Sequence, residues 1–170
     1  MSAPPEFVAF HIGIVVHDLD AVIDRYRRML GIDLWHVRDN EQTKLAYGGR
    51  DGVGLAFELI QPKTDDGQMA EFLREHGEGV QHLGVWTPDL LGSLQAAVAE
   101  GGTLVAGPFQ QDGNTIVQVE TPPGTQPRQL AYIDTGMATI RMDFIGPPAD
   151  AGLRNWLQDD YDRIIAPAPW

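Results

Sequence analysis

Residues 11–19 read His-Ile-Gly-Ile-Val-Val-His-Asp-Leu, and residues 82–90 read His-Leu-Gly-Val-Trp-Thr-Pro-Asp-Leu. The same offset of 71 residues carries Asp18 onto Asp89, Leu19 onto Leu90 and Gly31 onto Gly102. A near-repetition of this length implies one supersecondary unit used twice. Two copies related by a pseudo-two-fold axis bring His11 and His82 towards a shared centre, and the chemistry is expected there.

Working outward from the first copy, Phe7–Val16 is apolar and rich in β-branched residues, which predicts a buried strand. Asp18 is placed to cap a helix whose apolar face is Leu19, Val22, Ile23, Tyr26 and Leu30, with Gly31 as its stop. Ile32–Val37, Thr43–Gly48 and Val53–Gln61 read as three short strands, separated by turns at Asp39-Asn40 and at 48–52. A short amphipathic helix over Gln68–His76 follows. The second copy repeats the order, with an insertion around residues 121–127 and one more strand after its helix. It has a strand over Val80–Thr87, a helix opened by Pro88 and Asp89, and strands at Thr103–Phe109, Thr115–Glu120, Arg128–Asp134 and Thr139–Ile145. The expected class is α+β, with two tandem βαβββ modules forming a curved mixed sheet around a metal-binding cleft, and a C-terminal helical tail. The boundaries are residues 1–62 for the first module, 63–79 for a linker helix, 80–146 for the second module and 147–170 for the tail. The tail is expected to be helical over Ala151–Ile165 and to dock through Trp156, Leu157, Tyr161 and Ile164.

Composition narrows the function classes. At 170 residues, 43% hydrophobic and 21% charged, the chain has the makeup of an ordinary globular protein. It has no cysteine, which removes disulfides, thiolate metal sites and a cysteine nucleophile. A net charge of −12 opposes binding to nucleic acid or to anionic membranes. No apolar run approaches the about 20 residues that span a bilayer, and the first residues lack a basic-then-apolar leader. A cytoplasmic protein is expected.

Each module ends in a strand with one acid among apolar residues, Leu55-Ala-Phe-Glu58-Leu-Ile60 in the first and Thr139-Ile-Arg-Met-Asp143-Phe-Ile145 in the second. A buried carboxylate is costly unless it is paired, hydrogen-bonded or metal-bound. His11, Glu58, His82 and Asp143 therefore form a constellation suited to a divalent ion of intermediate hardness: Co, Mn, Ni, Zn or Fe. Simpler readings stand beside it. The histidines fit core positions, Glu58 fits an outward strand face, and Arg141, on the same face as Asp143, fits an ion pair with it. His17, His36 and His76 read as surface residues. Trp86 alternates with His82 and Gly84, so it either lines a substrate pocket or packs a sheet face. Lys44 and Lys63 are the nearest cations for an anionic substrate.

These segments resemble the vicinal oxygen chelate superfamily, which holds glyoxalase I, methylmalonyl-CoA epimerase, extradiol dioxygenases and bleomycin-type resistance proteins. The resemblance runs over about residues 7–146. It rests on His11-Ile-Gly-Ile-Val-Val with Asp18-Leu19-Asp20, on Phe57-Glu58-Leu59-Ile60-Gln61-Pro62, on Gly79-Val-Gln-His82-Leu-Gly-Val, and on Ala131-Tyr132-Ile133-Asp134-Thr135 leading to Asp143. The stretch from the acid-bearing strand through the short helix to the second histidine is most similar to methylmalonyl-CoA epimerase. The resemblance implies that His11, Glu58, His82 and Asp143 hold the metal. It also implies that Glu41, in a Glu-Gln pair before the third strand, supplies a catalytic carboxylate; a solvated turn acid is the simpler reading of Glu41, and a metal-bound carboxylate such as Asp143 is the alternative base. The chain departs from the pattern at its last ligand, usually Glu. Asp143 is shorter by one C–C bond of about 1.5 Å, so the strand shifts, a water bridges, or this position leaves the metal.

Such a site chelates two vicinal oxygens of a substrate and stabilises an enediolate or enolate, while a carboxylate removes the α-proton. The reading is a metal-dependent isomerase or epimerase acting on an α-carbonyl substrate such as a 2-substituted acyl-CoA. A glyoxalase-like lyase and a non-catalytic ligand-binding or resistance protein are the alternatives. The expected partners are a small-molecule substrate and a second copy of the chain in a homodimer.

Overall fold

The computed structural model describes residues 7–106, 130–134 and 141–165. The strand expected at Thr115–Glu120 and the proline-rich insertion at 121–127 lie outside the described residues. The chain divides into two compact units. One joins Phe10–His82 to Trp156–Pro167, and the other is built on Leu83–Asn155. The division passes between His82 and Leu83.

The first unit follows the β-α-β-β-β order: β1 (Val8–Val15), α1 (Leu19–Leu30), β2 (Leu34–Asp39), β3 (Thr43–Gly49) and β4 (Ala56–Pro62). Helix α2 (Gln68–His76) and the start of β5 (Gly79–Trp86) complete it. The strands lie in the order β2-β3-β4-β1. β1 and β4 run parallel with Gly13 opposite Glu58, whereas β2–β3 and β3–β4 are antiparallel with Tyr47 opposite both His36 and Glu58. A crossover through α1 is what lets β1 lie parallel to a strand of its own module.

Local chemistry sets the helix ends. The Asp18 carboxylate accepts a hydrogen bond from the Ala21 amide at 3.0 Å and opens α1. Gly31 closes it at φ 65°, a left-handed conformation that suits glycine. One face of the sheet packs on α1, with Val16, Leu19, Ile23, Ala46 and Leu59 as the buried cluster. The opposite face carries Glu58 and Tyr47, since side chains alternate along a strand.

The second unit contains the rest of β5, then α3 (Leu90–Ala99), β6 (Thr103–Ala106), β7 (Leu130–Asp134) and β8 (Arg141–Ile145). Its strands β8-β7-β6 pair antiparallel. Asp89 caps α3 through the Gly92 amide at 2.9 Å, in the position that the repeat matches to Asp18. Val85, Leu90, Leu94 and Phe144 form the core beneath α3.

The tail differs from its sequence reading. Helix α4 (Pro147–Leu157) starts four residues earlier than expected, because proline is tolerated in a first helical turn. A 3₁₀ turn over Gln158–Asp160 then interrupts it before α5 (Tyr161–Ile164). Gln158 has a positive φ of 49°, which breaks the α-helical ladder. The segment from Trp156 docks on β2 and β3 of the first unit. Leu157, Tyr161, Ile164 and Ile165 are buried there. His36, read from sequence as a surface residue, is half-buried beneath the tail and pairs with Asp160 at 3.0 Å. Among the described residues no helix is long and apolar enough to cross a membrane.

The caps yield a quantitative expectation. Asp18→Ala leaves the Ala21 amide without its acceptor and lowers the unfolding free energy by about 1 kcal/mol. The loss is read as a lower urea midpoint at unchanged slope, and an unchanged midpoint would show that the cap contributes nothing.

Candidate functional site

Three of the four residues singled out by the repeat meet within the first unit. His11 projects from the middle of β1, Glu58 from the middle of β4, and His82 from the part of β5 that belongs to this unit. The parallel register sets Gly13 beside Glu58 and His11 two residues earlier, opposite Ala56, so both side chains stand on the face away from α1. The two histidines are fully buried and Glu58 is 8% exposed.

His11 Nε2 lies 2.9 Å from His82 Nε2, His82 Nε2 lies 2.8 Å from Glu58 Oε2, and His11 Nε2 lies 3.2 Å from that same oxygen. Three electron-rich atoms thus form a closed triangle. The Gln81 Oε1 atom, 2.7 Å from His82 Nδ1, accepts its proton. A neutral His82 then carries its lone pair on Nε2, the atom that faces the triangle. Burial raises the Glu58 carboxyl, but the hydrogen bond and charge of His11, and then those of His82, outweigh it. Glu58 is held below the usual carboxylate range. Burial also lowers the His11 pKa, offset in part by Glu58, and favours a neutral ring.

A single proton satisfies one edge of this triangle and leaves the others as facing lone pairs. A cation at the centre satisfies all three. The edge lengths also fit, because adjacent ligands of an octahedral ion bound at about 2.1 Å stand about 3 Å apart. Two imidazoles and a carboxylate suit the intermediate metals of the nitrogen–oxygen class.

Gly13 supplies the space. A Cβ built on Gly13 would fall inside the His82 imidazole, so the ring lies directly over the bare backbone of β1. Tyr47, 3% exposed on β3, presents its ring to His11 edge-to-face at a centroid distance of 5.5 Å, and Phe10 makes another such contact at 4.4 Å.

The remaining sequence candidates sit elsewhere. Glu41 is exposed in the β2–β3 turn, six residues from Tyr47 and thus up to about 20 Å of strand away. Lys44 pairs in register with Gln61 and bonds Asp20 of α1 at 2.5 Å, which puts it on the helix-covered face, opposite to Glu58. The structure brings neither to the triangle. Trp86 is fully buried near the end of β5. Asp143 is 3% exposed in the middle of β8, in register with Tyr132 of β7, and belongs to the second unit. A cleft of about 340 Å³ lined by His17, Lys63, Asp65 and Arg74 includes none of the three residues.

Sequence reasoning missed Gly13, Gln81 and Tyr47. Gly13 had a signal, since each copy of the repeat places a glycine two residues after its histidine, on the same strand face. Gln81 and Tyr47 had none, because their roles depend on strands that pair only in the folded chain.

Comparison with known proteins agrees with this architecture. A family model described as the glyoxalase/bleomycin resistance protein/dioxygenase superfamily matches residues 10–118. The crystal structure of methylmalonyl-CoA epimerase from Mycobacterium tuberculosis is similar with a TM-score of 0.63 and 25% identity, over 89% of this chain and 97% of that one. That of hypothetical protein BH1468 from Bacillus halodurans C-125 is similar with a TM-score of 0.63 and 20% identity, over 84% and 95%. The uncharacterized protein YqjC of Bacillus subtilis (strain 168) is 30% identical over 86 residues, which is 51% of this chain and 61% of that protein. The matched stretch therefore spans less than two thirds of that relative. With a family model covering well over half its length, the chain belongs to the glyoxalase/bleomycin resistance protein/dioxygenase superfamily.

Proposed function

We propose that this protein is a divalent-metal-dependent isomerase or epimerase that removes a proton next to a chelated carbonyl, with a 2-substituted acyl-CoA thioester as its substrate class. The triangle of His11 Nε2, His82 Nε2 and Glu58 Oε2 carries the reading, since a shared cation would satisfy three buried metal-ligating atoms with edges of 2.8–3.2 Å. The likeness to a methylmalonyl-CoA epimerase supports the substrate class.

In this proposal His11, Glu58 and His82 hold the metal and Asp143 is the fourth ligand. His11 and His82 are fully buried, and Asp143 is 3% exposed. A divalent ion held there would supply Lewis acidity to a substrate carbonyl, which would make the adjacent C–H bond more acidic. The chain supplies the rest. Gln81 fixes the His82 tautomer, and Gly13 gives the imidazole its seat. A carboxylate of the ligand set, Glu58 or Asp143, accepts the α-proton, in preference to Glu41 at the hairpin tip. Return of the proton to the opposite face of the same carbon gives epimerisation. Return to the neighbouring carbon gives the glyoxalase-type isomerisation.

Metal content is the first test. The purified protein is expected to hold one equivalent of divalent metal by elemental analysis. His82→Ala abolishes uptake, and Glu58→Gln weakens it while keeping the fold. No stoichiometric metal in the wild type, or unchanged uptake by His82→Ala, overturns the reading. Gly13→Ala is expected to lose metal uptake at retained circular dichroism, because the added methyl group displaces the His82 ring; normal metal affinity would show that the ring has another seat. Metal-loaded protein incubated in heavy water with a panel of 2-substituted acyl-CoA thioesters is expected to place deuterium at the α-carbon. Tight binding without exchange or turnover across the panel would instead assign a ligand-binding protein.

A further inference from the structure

The C-terminal segment is held on the same sheet face as the triangle, and by more contacts than a simple cover requires. The register runs His36, Tyr47, Glu58 directly across β2, β3 and β4, so these three side chains share one face. Trp156 places its ring edge-to-face on Tyr47 at a centroid distance of 5.4 Å and an interplanar angle of 89°. Tyr47 in turn meets His11 at 5.5 Å and 80°. Three rings thus follow one another from the tail to a buried imidazole, each pair within the range for favourable edge-to-face packing.

The outer ring is itself fixed on both sides. The Arg38 guanidinium of β2 lies over Trp156, 4.0 Å from its centroid. Beyond the 3₁₀ turn, Arg163 makes a two-pronged bond to Asp51 at 2.9 and 3.0 Å and a third to Asp160 at 2.7 Å. Asp160 also bonds His36 at 3.0 Å. The Ile164 backbone lies so close to Gly49 that a Cβ there would sit 2.8 Å from its carbonyl oxygen. Trp156 therefore has little freedom to turn, and neither has the ring it abuts.

We propose that Tyr47 and Trp156 are positioning residues for the metal centre. Trp156 holds Tyr47, and Tyr47 holds the His11 imidazole at the angle that aims Nε2 into the triangle. The tail is then part of the site, although it contributes no ligand. The inference rests on the metal reading for its effect on affinity, and on ring geometry alone for its effect on His11. Residues that orient a ligating imidazole typically influence metal affinity by 10–100-fold.

The test uses the full-length protein in two states. In the metal-free state, the His11 ring signals in nitrogen–proton NMR spectra are expected to move in Trp156→Leu and Tyr47→Leu but not in Tyr47→Phe, which keeps the ring. In the cobalt(II)-loaded state, the two leucine variants are expected to bind about 10-fold or more weakly and to show a changed visible absorption spectrum, while Tyr47→Phe keeps both. Asp18→Ala, which loses stability at a distant helix cap, serves as the control and keeps the wild-type spectrum. If Trp156→Leu does not fold, Trp156→Phe is read in the same way and shows a smaller shift of the same sign. Folded Trp156 variants with wild-type His11 signals and wild-type cobalt affinity and spectrum would overturn the inference. Failure of the wild type to bind cobalt would overturn the metal reading instead, and the metal-free His11 signals would still decide whether the rings act as a relay.

Discussion

Two imidazole nitrogens and one carboxylate oxygen share a buried space about 3 Å across, and no arrangement of their own protons satisfies every pair. In water this crowding would be relieved by solvation. In the interior of the first unit it is not, because His11 and His82 are fully buried and Glu58 nearly so. The surroundings hold the triangle in this form. Parallel pairing of β1 with β4 sets His11 near Glu58, and the bare backbone at Gly13 admits His82. The α1 crossover makes the parallel pairing possible, and Asp18 and Gly31 define that crossover.

The electrostatics of the triangle bind function to fold. A carboxylate held below the usual range in a buried place carries a charge that its histidine neighbours offset only in part. A protein that retained this arrangement for stability alone would gain more from apolar residues of the same volume. That is the ground on which a cation is proposed at the centre of the triangle. The tail adds a second layer: its ring contact through Tyr47 reaches His11 on the first strand of the chain.

Much of the fold was legible in the sequence because its signals are local. The cap at Asp18, the left-handed stop at Gly31 and the span Gln68–His76 follow from residue chemistry within one turn of helix, and each occurs where expected. The tail helix differs from the sequence reading at its start and in its continuity, since sequence periodicity registers neither the tolerance of Pro147 in a first turn nor a break at Gln158. The resemblance points to Glu41, and nearness along the chain points to Lys44. Strand alternation turns Lys44 to the helix-covered face, and the hairpin carries Glu41 away from Glu58.

By itself the sequence determined that the chain is a duplicated β-α-β-β-β unit, and that each copy carries one histidine and one acid at matching places. Repetition and residue chemistry are enough for that, because both are written along the chain. Only the tertiary structure decided which atoms meet. Pairing β1 with β4 rather than with β2 is a non-local choice, and it brings His11 and Glu58 together across 47 residues of sequence. The same kind of choice gave Gly13, Gln81 and Tyr47 their roles and seated Trp156 on Tyr47. Such roles arise from contacts between distant segments, which no local pattern encodes.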